Sequence, residues 1–304
     1  MDIKNDWKKL LVVVDEKTDR VNLLERTRCL ASKLKASVVL FQACYSTALQ
    51  NAYLFDTAAQ ESARQGYLQH CEKALEVLAG ELRQHGIDVA VSAIWAKPAH
   101  EAIVAQANAL GVDLIIKETH YHSLISRAIL TNTDWHLIRE SAKPLWFIRN
   151  REWSSHLSLA AAVDPMHLHA RKGELDERLI DIAHELACCL PAELHVIHAF
   201  EPVPTGIMAE FDAIAADYNV YRQQAKVKHQ TAMDELIRGR VESSAIVHFE
   251  EGAPEKVLPK ITMEQNIDLL IMGGVSRSGV ERIFVGNVAE SVLDHVHSDV
   301  LIVP

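Results

Sequence analysis

Short runs of consecutive apolar residues alternate along this chain with longer stretches in which apolar residues recur every three or four positions. The first run, residues 9–15, is mostly apolar and ends in an acid, Asp15. Such a run is typical of a strand buried on both faces of a parallel sheet. In the first half, the pattern predicts strands over residues 9–15, 37–42, 87–95, 114–116 and 144–148, and helices over residues 18–34, a long stretch ending before Gly86, 98–111 and 134–140.

The second half of the chain repeats this order. Its predicted strands cover residues 157–163, 193–198, 244–248, 269–272 and 300–303. Alternating strands and helices favour an α/β fold, a doubly wound parallel sheet with helices on both faces. Such sheets bind ligands beyond the carboxyl ends of the strands, where the strand order reverses. The expected organisation is two tandem domains, residues 1–150 and 155–304, each with a five-stranded sheet.

The two halves also match each other in sequence at a constant offset. Asp113 and the three residues after it align with Asp268 and its followers, 155 positions later, and Asn132 aligns with Asn287 at the same offset. The chain therefore encodes one domain twice. The positions at which the two copies differ are the most informative about function.

Composition narrows the functional classes. The 304 residues are 49% hydrophobic and carry a net charge of −10. This acidic balance, without a run of basic residues, argues against nucleic acid as the main partner. No apolar stretch approaches the roughly 20 residues of a membrane helix, and the N-terminus lacks the apolar segment of a signal peptide. Five cysteines without a CxxC spacing are typical of free thiols, so we expect a cytoplasmic protein.

A glycine-rich segment follows the fourth strand of the second half. It runs from Met272 to Val288 and has glycines at 273, 274, 279 and 286. Glycine leaves backbone N–H groups open to an anion, because no Cβ blocks the approach. Asn287 stands at the expected N-cap of the next helix, whose free N–H groups and dipole also favour an anion. The segment predicts a phosphate site, although a tight turn without a ligand fits the same composition.

The spacing within this segment resembles the universal stress protein family. Gly273-x-x-Ser276, nine residues and then Gly286-Asn287 is similar to the G-x-x-G-x9-G-S/T signature of the family's ATP-binding members. The resemblance covers both halves and implies a Rossmann-like sheet of strand order 3-2-1-4-5, like that of adenine nucleotide hydrolases. Ser276 departs from the second signature glycine, and Asn287 from the final Ser or Thr. Asparagine is nevertheless as good a cap as serine, and its amide can donate to a phosphate oxygen.

The resemblance also implies which residues hold a ligand. Asp164, after the first strand, and Ala199, near the end of the second, match family positions near the adenine and ribose. The nucleotide-binding residues expected on this basis are Asp164, Ala199, Met272, Gly273, Gly274, Ser276, Gly286, Asn287 and Val288. The implied function is a regulatory stress-response protein that binds ATP, ADP or AMP, which Mg²⁺ could accompany. Because the chain has no Walker lysine, we expect no catalytic residues and at most a slow ATPase activity.

The first half departs further from the family signature. At the offset of 155 residues, the counterparts of Gly273, Gly274, Ser276 and Gly286 are Glu118, Thr119, Tyr121 and Thr131, and only Asn132 is retained. A carboxylate in place of a glycine would repel a polyphosphate. We interpret this half as a degenerate nucleotide site that is mainly structural, or as a pocket for another ligand.

Close pairs of histidines raise the question of a metal. His167 and His169, just after the first strand of the second half, could contribute two ligands to a loop site. His195 and His198 are an odd number of positions apart on a predicted strand, so they should point to opposite faces. We assign no metal ligand from the sequence.

Two apolar segments leave a second function open. Residues 45–56 and 200–214 follow the second strand of each half, at the end of the sheet where ligands bind. They could form lids over a ligand with an apolar part. The alternative is therefore a non-catalytic scaffold for an amphiphilic ligand or a protein partner, with the glycine segment kept only as a turn. The family resemblance also implies a homodimer, which would be a four-domain assembly.

Overall fold

The computed structural model describes residues 7–15, 20–50, 57–122, 127–166, 174–202, 215–241, 244–274 and 287–304. The chain divides into two compact units, Met1–Glu152 together with Pro304, and Trp153–Val303. Both units are α/β, with a five-stranded parallel sheet against which helices pack. This confirms the predicted fold class.

The first unit has the predicted strand order, 3-2-1-4-5. Its sheet runs β3-β2-β1-β4-β7, and every neighbouring pair is parallel. Leu10, Leu11 and Val12 of the central strand are fully buried. The elements are β1 Lys9–Val13, α1 Val21–Leu34, β2 Ser37–Cys44, α2 Thr47–Gln50, α3 Thr57–Arg83, β3 Val89–Trp95, α4 Ala99–Leu110, β4 Leu114–Glu118, β5 His120–His122, β6 Arg127–Ile129, α5 Asn132–Glu140 and β7 Leu145–Ile148.

The second unit repeats that order as β10-β9-β8-β11-β12, again with parallel pairs throughout. The central strand β8 lies between β9 and β11. Its elements are β8 Leu157–Ala162, α6 Glu174–Cys189, β9 Ala192–Phe200, α7 Ala215–Ile237, β10 Ile246–Glu251, α8 Pro254–Glu264, β11 Leu269–Gly273, α9 Asn287–His295 and β12 Asp299–Val303.

The repeated aspartate of the sequence self-match anchors the amino end of each sheet. The Asp113 carboxylate accepts hydrogen bonds from the backbone N–H groups of Lys8 and Lys9, at 2.8 and 2.9 Å. In the second unit, the Asp268 carboxylate accepts from the Ser154 N–H at 2.9 Å and from the Ser158 N–H at 3.1 Å. In both units this aspartate joins the start of the fourth strand to the chain entering the first strand.

Two local features differ from the sequence pattern. β5 and β6 form a short antiparallel hairpin, in a stretch where the pattern predicts only a loop. α9 begins at Asn287, which makes this residue the first of the helix and not its N-cap. In the first unit, Asn132 is likewise the first residue of α5. Its N-cap is Thr131, whose hydroxyl accepts a hydrogen bond from the Asp134 N–H at 3.3 Å.

The cysteines and helices agree with the expectations from composition. The five cysteines all lie in described parts of the chain and form no disulfide. Across the described ranges, no helix combines the length and the apolar character needed to cross a membrane.

Candidate functional site

The carboxyl edge of the second sheet brings several predicted site residues together. Asp164 follows β8, and the register of β8 with β9, extended by two residues, places it beside Ala199. Met272 and Gly273 end β11, which pairs with β8 on its other side. β8 is therefore the strand at which the order reverses, and these four residues surround the point where ligands of doubly wound sheets bind.

The two glycines at the end of β11 both have structural roles. A Cβ added to Gly273 would lie 2.9 Å from Cδ2 of Leu175, in the first turn of α6. A larger residue at position 273 would therefore have to displace this methyl group of Leu175. The Gly274 N–H donates to the carbonyl of Val303 at 3.1 Å, so this amide continues the ladder with β12. The Gly274 amide is therefore used within the sheet and is not available to a phosphate.

That later part of the segment is only partly described. Ser276 and Gly286 lie outside the described residues, as do His167 and His169. Asn287 and Val288 are described as the helical start of α9. The phosphate half of the predicted site therefore stays a prediction.

Asp164 is exposed and stands at the beginning of a turn. Its N–H donates to Oδ1 of Asp176, in α6, at 3.0 Å, and its own Oδ1 accepts from the Met166 N–H at 3.4 Å. The backbone is thus fixed by the first turn of α6. The carboxylate lies at the surface of the carboxyl edge, where a ligand in solution can reach it.

A pair of histidines lies beside Asp164. His198 Nδ1 is 3.0 Å from the carbonyl oxygen of Val163, and His198 Nε2 is 2.9 Å from Nδ1 of His229, in α7. A carbonyl only accepts, so Nδ1 of a neutral His198 donates to it, and Nε2 accepts from His229. The rings of Phe200 and Phe249 pack against this pair, at 4.7 Å from His229 and 5.8 Å from His198.

This environment favours neutral imidazoles. Burial lowers the pKa of His198, although the Val163 carbonyl and the Asp164 charge oppose that shift. Burial also lowers the pKa of His229, again opposed by Asp164. The site therefore has an uncharged, ring-lined wall next to an acidic side chain.

The opposite face of β9 carries a separate histidine pair. His195 Nδ1 is 2.9 Å from Nε2 of His248, and His195 Nε2 is 3.3 Å from Oε2 of Glu193. Burial lowers the pKa of both imidazoles. His195 and His198 thus have different partners, as the alternation of side chains along a strand requires.

The equivalent edge of the first unit contains a buried ion cluster. Lys117, at the end of β4, stands 155 positions before Met272 and exposes 2% of its surface. Its Nζ lies 2.7 Å from Oδ2 of Asp15 and 3.1 Å from Oδ1 of Asp134, in α5. It also donates to the carbonyl of Glu118 at 3.1 Å. We name Lys117, Asp15 and Asp134 the lysine triad.

The lysine triad keeps its cation charged. Burial by itself lowers the pKa of Lys117, but the nearby carboxylates of Asp134 and Asp15 outweigh burial, and the pKa is raised. Asp15 follows β1 as Asp164 follows β8, and here its half-buried carboxylate forms an ion pair with the buried Lys117. No role for Lys117 was predicted from the sequence. A lysine directly after an apolar strand run could have indicated a buried cation.

A model of the universal stress protein family matches residues 6–149 and again residues 160–304. The chain belongs to the universal stress protein family. Universal stress protein E of Escherichia coli K12 is 26% identical over 298 residues, which are 98% of this chain and 94% of the relative. Universal stress protein E of Photorhabdus laumondii is 28% identical over 300 residues, 97% of this chain and 94% of the relative. This chain is therefore similar to tandem universal stress proteins along nearly its whole length.

A solved structure shares the fold along nearly the whole chain. PA1789 of Pseudomonas aeruginosa PAO1, described as a functionally unknown protein, matches with a TM-score of 0.74 at 25% identity, over 98% of this chain and 92% of that one. The tandem universal stress protein fold predicted from the sequence is confirmed.

This universal stress protein also has a cleft in its first unit. The cleft has a volume of about 650 Å³ and opens at the carboxyl ends of β2 and β3. Tyr45 and Trp95 line it, with ring centroids 5.5 Å apart. Lys97 Nζ lies 4.5 Å from the centre of the Tyr45 ring, and the guanidinium carbon of Arg64 lies 5.2 Å from the centre of the Trp95 ring. The lining of the cleft thus combines aromatic rings with one lysine and one acidic side chain, Glu101.

Proposed function

We propose that this chain is a regulatory stress-response protein whose second unit binds an adenine nucleotide. The observation that carries the proposal is the convergence of Asp164, Ala199, Met272 and Gly273 at the switch point of the second sheet. The first glycine of the family signature ends β11 at this point, and Asn287, the last residue of the signature, begins α9, the next described element of the chain. The base and ribose would lie against Ala199 and Asp164, and the phosphates along the glycine segment.

The contrast between the two units supports placing the nucleotide in the second. In the first unit the lysine triad occupies the corresponding edge, and the buried Asp134 carboxylate belongs to it. In the second unit the counterparts of Lys117 and Asp134 are Met272 and Ala289, which carry no charge. Asp164 is also exposed, whereas the Asp15 carboxylate is held by Lys117. We therefore propose that the first site is degenerate.

Turnover of the nucleotide should be slow. Rapid phosphoryl transfer uses a lysine at the β- and γ-phosphates and firmly held Mg²⁺ ions. The first residues of the glycine segment provide sheet hydrogen bonds and helix packing instead. We therefore propose a regulatory role, in which occupancy and not hydrolysis is the signal.

Thermal denaturation with and without Mg-ATP tests the proposal. A ligand at 100 times its Kd stabilises the folded state by about 2.7 kcal/mol. Asp164→Asn should weaken binding roughly tenfold, the equivalent of one charge-assisted hydrogen bond. The matched control is Glu264→Gln, which neutralises an exposed carboxylate at the end of α8, the helix that leads into the amino end of β11. It should leave the affinity unchanged.

A further control separates the two units. Asp15→Asn removes the corresponding acid of the first unit and should not change the affinity for ATP. If millimolar ATP gives no thermal shift, and Asn287→Ser restores none, the nucleotide proposal is wrong. A loss of binding in Asp15→Asn but not in Asp164→Asn would place the ligand in the first unit instead.

A second candidate function is an amphiphile-binding scaffold in the first unit. The cleft at Tyr45 and Trp95 favours it, because its volume lies within the range of about 300–1,000 Å³ typical of small-molecule sites. Its aromatic rings suit an apolar body, and Lys97, beside Glu101, suits a polar head group that carries a negative charge. Residues 51–56 and 203–214 of the predicted lids lie outside the described residues.

Native mass spectrometry after incubation with a lipid extract tests this second candidate. We expect a bound species whose amount falls in Trp95→Ala. Tyr221→Ala truncates an exposed aromatic side chain on α7 and serves as the control. If no adduct forms above background, or if Trp95→Ala retains it, the cleft does not bind amphiphiles.

We also propose that the protein works in the cytoplasm as a homodimer with four domains. This follows from the charge and cysteine pattern and from the family resemblance. Light scattering coupled to size exclusion should give twice the mass of one chain, and a monomer at micromolar concentration would contradict the assembly.

A further inference from the structure

Two histidines and a glutamate meet between α4 and α5 of the first unit. His100 is the second residue of α4, while His136 and Glu140 lie one turn apart on α5. We name these three residues the His–His–Glu cluster. None of them belongs to the lysine triad or to the cleft, and none has a role in the proposed nucleotide site.

The donor atoms of the cluster converge on one carboxylate oxygen. His136 Nδ1 lies 2.9 Å from Oε1 of Glu140, and His100 Nε2 lies 3.7 Å from the same oxygen. One ligand atom from each residue can be chosen so that all three lie within 4.8 Å of one another. A tetrahedral ion with bonds of about 2.0–2.2 Å spaces its ligand atoms about 3.4 Å apart. The distances from Glu140 Oε1 to the two histidine nitrogens therefore differ by about half an ångström or less from the spacing between ligand atoms around such an ion.

The imidazole rings need one adjustment. They stack with centroids 4.0 Å apart and an angle of 6° between their planes. A metal lies in the plane of each imidazole that binds it, so one of two parallel rings must turn about its Cβ–Cγ bond. This torsion is broad and costs little. The side chain of His136 is 35% exposed and that of His100 is 11% exposed, so His136 has the room to turn.

A hydrogen bond within α5 explains only part of the cluster. His136 and Glu140 are four residues apart, and such pairs stabilise helices without a ligand. That pairing does not account for His100, whose ring is largely buried, stacks on a like ring and directs Nε2 to the same oxygen. Two imidazoles held face to face beside one carboxylate would repel each other if both were protonated, whereas two neutral rings can each give one lone pair to a shared cation once one ring has turned.

The donor set indicates the metal. Imidazole nitrogen and carboxylate oxygen suit zinc, and sites with two histidines and one glutamate leave the fourth tetrahedral position to water. We propose that the His–His–Glu cluster binds one Zn²⁺ through His100, His136 and Glu140, with water as the fourth ligand. Because the ligands come from two helices, the ion joins α4 to α5.

Zinc titration of the full-length, metal-stripped chain against a chromophoric chelator tests the site. We expect one tight equivalent, a higher melting temperature, and the visible bands of tetrahedral coordination when Co²⁺ replaces Zn²⁺. Loss of a residue that only supports a metal ligand weakens metal binding about 10- to 100-fold, so loss of a ligand should do at least as much. His100→Phe and His136→Gln should therefore weaken binding about 100-fold or more, and Glu140→Gln about tenfold. The phenylalanine keeps a ring in the stack, so His100→Phe should stay folded by circular dichroism.

Other histidines of the chain provide the controls. The paired variants His120→Ala with His122→Ala and His167→Ala with His169→Ala should bind zinc like the unaltered chain. The proposal is overturned if the chain binds no zinc. It is also overturned if His100→Phe and His136→Gln keep the full affinity, or if a control pair loses it instead.

Discussion

Replacing Lys117 by methionine removes the cation that Asp15 and Asp134 share. The Asp134 carboxylate has no exposed surface, so in Lys117→Met its charge remains buried without its counter-ion. Methionine is the residue at the corresponding position of the second unit, Met272, where it is also buried. The side chain therefore fits the end of a fourth strand, and the expected damage is electrostatic.

The size of the effect follows from the burial of the lysine triad. Removing one partner of a buried ion pair costs about 3–5 kcal/mol of unfolding free energy. Adding Asp134→Ala copies Ala289 of the second unit and removes the stranded charge. It also removes the capping box in which Thr131 N–H donates to Asp134 Oδ2 at 2.7 Å, a loss of about 1 kcal/mol. The double variant should therefore be only about 1–2 kcal/mol less stable than the unaltered chain.

Urea unfolding followed by tryptophan fluorescence measures this loss in the first unit. Four of the five tryptophans belong to that unit, Trp7, Trp95, Trp135 and Trp146. With a slope of about 2 kcal/mol per molar urea, a loss of 4 kcal/mol lowers the midpoint by about 2 M. The pKa of Lys117 is raised in the folded state, so its contribution is complete below the ordinary lysine pKa of about 10.4 and is lost as the pH rises through the raised value. The difference between the two proteins should thus be constant near neutral pH and shrink in strong alkali.

Two results would refute this reasoning. One is a loss of less than about 1 kcal/mol of unfolding free energy in Lys117→Met. It would mean that water reaches Asp134, either directly or after a movement of α5. The other is a double variant no more stable than the single one, because the stranded charge would then not be the cause.

Three further predictions concern single contacts. Gly273→Ala should lower the unfolding free energy, measured by thermal denaturation, by about 1 kcal/mol, because the new Cβ meets the movable methyl of Leu175. Adding Leu175→Ala should relieve the clash. If the losses of the two variants simply add, the clash is not the cause. Burial lowers the pKa of His198 and His229, so the unfolded chain binds more protons, and the stability falls as the pH drops through about 6.5. His229→Phe should therefore reduce the difference between the urea midpoints at pH 7.5 and pH 5.5. An unchanged difference would show that this pair is not the cause. Asp268→Asn should lower the unfolding free energy by about 2 kcal/mol, since the Asp268 oxygens accept hydrogen bonds from the N–H and the Oγ hydroxyl of Ser154 and from the Ser158 N–H. The control Glu264→Gln should change it by no more than about 0.5 kcal/mol. Equal losses in the two variants would contradict the anchoring role of Asp268.

The strands and their order could be predicted because each half repeats the same local signals. Continuous apolar runs mark strands that are buried on both faces, and Asp113 and Asp268 recur because the same backbone amides need an acceptor at the start of each sheet. The β5–β6 hairpin could not be predicted in this way. Residues 120–129 have no two-residue turn signal or apolar alternation that separates a hairpin from a loop.

Only part of the candidate site could be predicted from the sequence. Gly273 was predicted from its place in the glycine segment, but glycine serves close helix packing as well as anion binding, and a sequence does not distinguish the two. The pair of His198 and His229 depends on contact between residues 31 positions apart in β9 and α7. His100 and His136 likewise meet only once α4 and α5 pack. Such pairs depend on tertiary contact, which no local pattern encodes.

The same backbone hydrogen bond closes the end of the fourth strand in both units. Thr119 N–H donates to Ile148 at 2.9 Å, and Gly274 N–H donates to Val303 at 3.1 Å. Because the bond uses no side chain, it tolerates a threonine in one copy and a glycine in the other. Between this bond and the following helix, the two sequences share few residues. The loop that follows can therefore differ between the two units without any change in the hydrogen bond that ends the fourth strand, so a ligand site built from the loop of one unit need not exist in the other.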